Sequence, residues 1–265
     1  VVNNSSSADT SRGGTKSPGL RREEKLPLWM IAVVGLTLVV IYARSGEYRE
    51  VLEFVWAGVL MTIRISVLGY AAALVIGLFT GLARTSKNPI VHTLASLYVE
   101  VSRGVPLLVT IVYVGFVAAP ALTRWLGIGK IAEPTRAIVG LSFAMGAFLA
   151  EHFRAGIEAV GRGQGEAASS LGMTRAQAMY YIILPQAIRI VLPPLGNEFI
   201  AALKTSSLAS VLAVGELAHE TRVLAGRTFD HFRSWNTASL LYLAMTLTLS
   251  FGVRVLEGRR KGTHV

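Results

Sequence analysis

Long apolar runs alternate with short polar ones along this chain, and their length carries the first inference. The runs fall at 26–43, 54–83, 92–119, 137–155, 190–214 and 237–255. Each is at least as long as the roughly 17 or more apolar residues that a helix needs to cross a bilayer. The pattern predicts an all-α integral membrane protein of about six transmembrane helices. Residues 1–25 are rich in Ser, Gly, Thr and Arg and nearly free of apolar side chains, which predicts a disordered tail. The 26–43 run begins late and no small-residue cleavage pattern comes after it, so it reads as an anchoring span rather than a signal peptide. The main transmembrane domain is then 54–256, interrupted by a water-facing loop at 157–189, with a short tail at 257–265.

Composition agrees with the pattern. Of 265 residues, 52% are hydrophobic, too many for an ordinary soluble domain. The formal charge of +10 is scattered over span ends rather than gathered into an aromatic-interleaved patch, so it indicates membrane topology and not nucleic acid. One side of the predicted topology receives Arg12, Lys16, Arg21, Arg22, Lys25, Arg84, Lys87, Arg154, Arg162, Arg175, Arg189, Arg254, Arg259, Arg260 and Lys261. The other receives Arg44, Arg49, Arg124, Lys130, Arg136, Arg222, Arg227 and Arg233. That bias, about two to one, sets both termini and the 157–189 loop in the cytoplasm. With no cysteine, disulfides and thiolate metal sites are excluded.

Within the polar loop, good helix formers at 166–178 are interrupted at Gly172, and Thr174 is placed to cap the next helical turn. The spacing predicts a short helix, a break and a second helix that Pro185 ends. Ala167, Ala168 and Ser169 offer a surface that another backbone can approach, with Glu166 and Arg175 as polar anchors. Glu166-Ala167-Ala168, Gly172 four residues on, and Ile183-Leu184-Pro185 together resemble the EAA loop in the membrane subunits of bacterial ATP-binding-cassette importers. The flanking Gly163-Gln164, Pro185-Gln186-Ala187 and Pro193 are similar to the polar amino-acid branch of that family.

The resemblance implies a five-helix type I importer core, to which 26–43 is an added span, in the cytoplasmic (inner) membrane of a bacterium. It implies that Glu166, Ala167, Ala168, Gly172 and Arg175 belong to a coupling helix seated in an ATPase subunit. The partners it implies are two ATPases carrying ATP and Mg, a second identical or homologous permease, an extracytoplasmic solute-binding protein, and lipid. No cofactor is implied for this chain, and the solute is a polar amino acid or another zwitterion of opine or ectoine type.

Ionisable groups at membrane depth are candidates for a solute path, because hydrocarbon excludes them. Arg64 stands a third of the way into the second run and either snorkels to the interface or faces the cavity, where it is suited to bidentate binding of a carboxylate. Glu100 and Arg103 are three apart, on one helical face, and either pair with each other or meet solute. They precede Pro106, which predicts a bend. Pro193-Pro194 predict a broken helix at the start of the fifth span, where Lys204, Asn197 and Glu198 add polar groups to a solute site, or where Asn197 and Glu198 instead hydrogen-bond one helix to another. Lys204-Thr205-Ser206-Ser207-Leu208 resembles a family motif in which an acidic residue is usual where Thr205 stands, so no role of that acid carries over. Glu151, Arg154 and Glu158, at spacings of three and four, read as a salt-bridged helix end.

Several functions find no support in the residues. The chain lacks GxxxxGK[ST], so ATP hydrolysis belongs to another subunit, and no His/Cys/carboxylate set has metal or catalytic spacing. The alternatives from other classes are an ion-coupled secondary transporter using Glu100 and Arg64, or a membrane scaffold. Neither accounts for the coupling loop.

Overall fold

The structure is a computed structural model that describes residues 33, 35–37, 40 and 44–261, the side chains of 47, 162 and 256–261 excepted. The predicted tail 1–25, most of the predicted span 26–43, and residues 262–265 lie outside the described residues. At the described positions of that span the backbone is helical, and Gly35 is buried near Leu247.

The second apolar run lies inside α1 (Gly46–Arg84), a 39-residue helix without proline. Thr85 ends it by donating its hydroxyl to the Leu82 carbonyl at 2.9 Å. Asn88 then caps α2 (Pro89–Gly104), its side chain accepting from the Ile90 N–H at 2.9 Å with Pro89 in the first turn. The predicted third run is not one continuous helix. Val105 is held extended because it precedes Pro106, so the chain breaks there and resumes as α3 (Leu107–Tyr113), a π turn at Val114–Ala118, and α4 (Ala119–Leu126). Gly127, at φ 66°, closes that helix in the left-handed conformation. The fourth run is α5 (Glu133–Ala159), and a short helix pair, α6 (Arg162–Ser170) and α7 (Arg175–Ala178), comes after it.

Here two expectations fail. Pro185 does not end the second short helix, and Pro193-Pro194 do not break the next one. From α7 the chain continues through a π turn at Met179–Ile183 into α8 (Leu184–Thr205) and a 3-10 segment at Ser206–Leu212. The π turn makes room for Pro185. Pro193 and Pro194 stay helical where α8 is clasped by α5 and the last helix, Gly156 packing on Val191 and Gly196 on Val253. After a left-handed Ala213 come α9 (Leu217–Thr228) and α10 (His231–Lys261). The last helix thus runs into the predicted tail, where basic residues suit a helix C-terminus.

Four helices among the described residues are long and apolar enough to cross a membrane: Tyr48–Arg84, Leu107–Leu126, Arg175–Leu212 and His231–Val255. The fourth predicted span, α5, is less apolar than these yet supplies much of the core, with Leu141, Ala144, Met145, Ala147, Leu149 and Ala150 buried. It packs along α1 through a seam of small residues. Gly69 meets Leu141, Gly77 meets Leu149, and Gly81 meets Phe153, at a constant offset in sequence, so the two helices run parallel. In hydrocarbon no water drives helices together, and small side chains that let backbones approach are what hold them.

A Cβ on Gly77 would lie 2.6 Å from Leu149 Cβ and 3.1 Å from the backbone nitrogen of Ala150. Gly77→Val is therefore expected to destabilise the protein by about 1–3 kcal/mol, the usual cost of overpacking. Gly104→Ala, in open space, is expected to be neutral. Thermal unfolding in detergent, monitored by size exclusion, checks both, and an unshifted Gly77→Val midpoint would refute the seam.

Candidate functional site

The hairpin α6–α7 is built from its turn outwards. Gly172 sits at φ 78°, a conformation that side chains resist. The Met173 N–H bonds the Ala168 carbonyl at 3.1 Å and the Gly172 N–H bonds the Ser169 carbonyl at 3.0 Å, which closes α6. Thr174 opens α7 with a capping box. Its hydroxyl accepts from the Gln177 N–H at 3.3 Å, and its own N–H donates to Gln177 Oε1 at 2.8 Å. The helix, break and helix expected from the spacing are present. Glu166, Ala167, Gly172 and Arg175 face solvent, while Ala168 is fully buried on the inner side of the hairpin. Leu171, 79% exposed beside Gly172, is an apolar side chain on the outer face that the motif spacing does not single out. Its signal is a lone leucine in a polar run.

Above the hairpin, carboxylates of α5 gather arginines from three helices. Glu151 accepts from Arg84 at the end of α1, from Arg154 one turn on at 3.0 Å, and lies 3.6 Å from Arg103 of α2. Arg154 also donates to Glu158 at 2.6 Å. The salt-bridged helix end is as expected, but Arg84 and Arg103 join it. Arg103 therefore pairs with Glu151 and not with Glu100. Although Glu100 shares its helical face, the Arg103 guanidinium extends over the Phe148 ring, 6.0 Å from its centroid, towards the carboxylate. Glu100 is exposed.

The remaining path candidates separate. Arg64 lies on the exposed face of α1 with Leu60, Ile63, Val67 and Leu68, opposite the buried Thr62, Ile65 and Ser66. At 1.5 Å per residue it stands about 30 Å along the axis from Arg84, at the far edge of a hydrocarbon layer of about that thickness. Glu198 pairs with His152 of α5 at 3.1 Å, tying two helices together. Asn197 and Lys204 remain exposed, on one stripe of α8 with Pro193, continued by Val211.

At the opposite end of the fold from the hairpin, Glu216 is fully buried. It caps α9 by accepting from the Ala218 N–H at 3.0 Å and the His219 N–H at 2.7 Å, and takes the Tyr242 hydroxyl at 2.8 Å. Thr62 accepts from the Leu217 N–H at 3.0 Å, an approach that Gly58 permits. Sequence reasoning missed this node because the partners lie far apart in the chain.

Among the described residues the fold is helical throughout, with four helices long and apolar enough to cross a membrane and a polar helical hairpin between them, which is the architecture of an integral membrane protein. The sequence profile of the binding-protein-dependent transport system inner membrane component family matches residues 73–261, and the chain belongs to that family. It is 39% identical over 204 residues to the glutamine transport system permease protein GlnP of Escherichia coli K12, covering 77% of this chain and 91% of GlnP. To the probable amino-acid ABC transporter permease protein YckA of Bacillus subtilis 168 it is 40% identical over 210 residues, 78% and 89% of the two chains. The crystal structure of an amino acid ABC transporter with histidines superposes with a TM-score of 0.71 at 35% identity, over 82% of this chain and 98% of that one. The MetNI methionine ABC transporter, at 19% identity and a TM-score of 0.62, shares the fold.

Glu151→Ala would leave the Arg84 guanidinium, 11% exposed, without its carboxylate. Because the pair is only partly buried, the loss is expected to be about 1–3 kcal/mol. Glu158→Ala, at an exposed partner of Arg154, is expected to cost well under ~1 kcal/mol. Denaturation in mild detergent distinguishes them, and equal losses would contradict the assignment.

Proposed function

We propose that this chain is the permease subunit of an ATP-driven importer that carries a polar amino acid across a bacterial cytoplasmic membrane. Family membership and the amino-acid permeases among its relatives support the class. The observation that carries the mechanism is the hairpin, with Gly172 at its turn and Glu166, Ala167, Leu171 and Arg175 turned outwards.

In this reading the hairpin seats in a cleft of a separate ATPase subunit, which binds ATP and Mg. Two such ATPases serve a pair of permeases, identical or homologous, and a solute-binding protein delivers on the opposite face. ATP-driven closure draws the hairpins together and turns the helices so that the solute path opens outwards; release of the products returns it inwards. This chain moves solute and leaves hydrolysis to its partner. Lys204 and Asn197 of the exposed α8 stripe, with Glu100, supply polar contacts to a zwitterion; Arg64, about 30 Å along α1 from Arg84, meets it at the other end of the path, while Arg103 and Glu198 contribute through their pairs with Glu151 and His152.

The test is to isolate the protein from detergent-solubilised native membrane and assay the eluate for ATPase activity stimulated by single amino acids together with the binding protein. A co-purifying ATPase stimulated by one amino acid is expected. Persistent absence of an ATPase in several mild detergents would favour gradient-driven transport. Within the complex, Glu166→Lys and Gly172→Val are expected to abolish uptake and weaken ATPase binding while the protein stays in the membrane. Normal uptake by both would sink the coupling assignment.

A further inference from the structure

Two π turns lie among the described residues, and each stands in the same place relative to a proline. Val114–Ala118 ends two residues before Pro120, and Met179–Ile183 ends two residues before Pro185. After each, an N–H bonds back five residues, from Ala119 to Val114 and from Leu184 to Met179. Proline rationalises the coincidence at these two places, whereas Pro193 and Pro194, clasped by α5 and α10, are carried without a π turn. In an α-helix its ring collides with the carbonyl four residues back and offers it no N–H. A π turn holds one extra residue and swings that carbonyl away. Neighbouring carbonyls find side-chain donors: Gly115 accepts from Arg136 Nη1 at 3.2 Å, and Ile182 accepts from Gln186 Nε2 at 3.0 Å.

The second π turn lies between the hairpin and the exposed stripe of α8. Met179 and Ile183 pack on a cluster of Ile157, Val160 and Ala187. The hairpin bears directly on the same place, since Gln186 Nε2 donates to Gln164 Oε1 of α6 at 3.4 Å. One helical rod, Arg175–Leu212, carries both ends. An extra residue within it turns everything beyond by about 100° relative to everything before.

We propose that Pro185 is a positioning residue: by holding Met179–Ile183 as a π turn, it sets the angle at which Asn197 and Lys204 stand relative to the docking hairpin. The functional half of this rests on the import reading; the geometric half does not.

Pro185→Ala lets the segment relax to α-helix and turns the stripe out of register. Deleting Tyr181, whose ring is exposed, in the Pro185→Ala chain then removes the extra residue and brings both ends back into register as plain α-helix. In vesicles containing the assembled importer, Pro185→Ala is expected to lower solute moved per ATP by roughly tenfold or more, the scale of loss when a site is misplaced by an ångström or more. The deletion is expected to restore it. A proline that merely stabilised the fold would not be rescued by shortening its own helix.

A second readout needs no transport. The chain has no native cysteine, so Gln164→Cys with Gln186→Cys gives a clean pair for a short thiol cross-linker, scored by peptide mass spectrometry. Cross-linking is expected in the parent, lost with Pro185→Ala and regained with the deletion. Parent-like cross-linking in Pro185→Ala, or no recovery on deletion, would overturn the proposal. Recovered cross-linking without recovered uptake would overturn its functional half. A parent that binds no ATPase counts against the import reading, and the cross-link still decides the role of Pro185.

Discussion

The close approach of α1 and α5 is the constraint on which the rest of the fold depends. A membrane interior gives no hydrophobic reward for bringing helices together, so attraction must come from backbone contact and dispersion. Gly69, Gly77 and Gly81 of α1 present no side chain to Leu141, Leu149 and Phe153, and the two helices run side by side to the hairpin end of the fold. Their ends are fixed together there, where Leu82 packs with Ile157, Val160, Ala187 and Ile183. The hairpin begins immediately after Val160. A seam of absent side chains therefore determines where a water-facing hairpin stands, and α2, α8 and α9 pack against the pair that the seam creates.

Charge is arranged by the same geometry. Once α1 and α5 are in register, Arg84 and Glu151 meet, and Glu151 can serve Arg154 and Arg103 as well. One carboxylate shared by three guanidiniums leaves local positive charge for Glu158 and solvent to offset. The Thr62–Glu216–Tyr242 node does comparable work far from the hairpin with neutral donors. There the N-terminus of α9 and two hydroxyls satisfy a carboxylate that has left water. Polar groups at depth in this fold fasten helices first, which narrows the set left facing outwards to Arg64, Glu100, Asn197 and Lys204.

Local patterns proved legible wherever the cause was local. Run length located the helical segments, and Gly172 with Thr174 announced a turn and a cap whose hydrogen bonds are all within a few residues. The failures were long-range or compensatory. Glu100 and Arg103 share a face, yet Glu151, some fifty residues on, captures the arginine. Pro185 reads as a stop because proline usually is one, and nothing in its immediate neighbours states that a π turn will absorb it. Pro193-Pro194 read as a break for the same reason, whereas the packing of Gly156 on Val191 and Gly196 on Val253 keeps α8 helical. The partners of Glu216 are equally distant in sequence, so its burial had no local sign.

Continuity of the helix through Pro185 changes what the hairpin can do. Were the chain broken there, as the sequence suggests, a push on α6 and α7 would dissipate in a flexible joint and each helix would answer to its own packing. An unbroken rod from Arg175 to Leu212 instead carries rotation as well as displacement. Its one softer turn lies against α6, where Gln164 and Gln186 meet. Beyond that turn the rod is gripped by α5 through Val191 and by α10 through Gly196, so α8 moves with its neighbours or not at all. Interiors packed this closely shift between discrete arrangements rather than deforming smoothly. Beyond its π turn, a helix packed on two sides is thus suited to shift together with its neighbours as one unit rather than to bend independently of them.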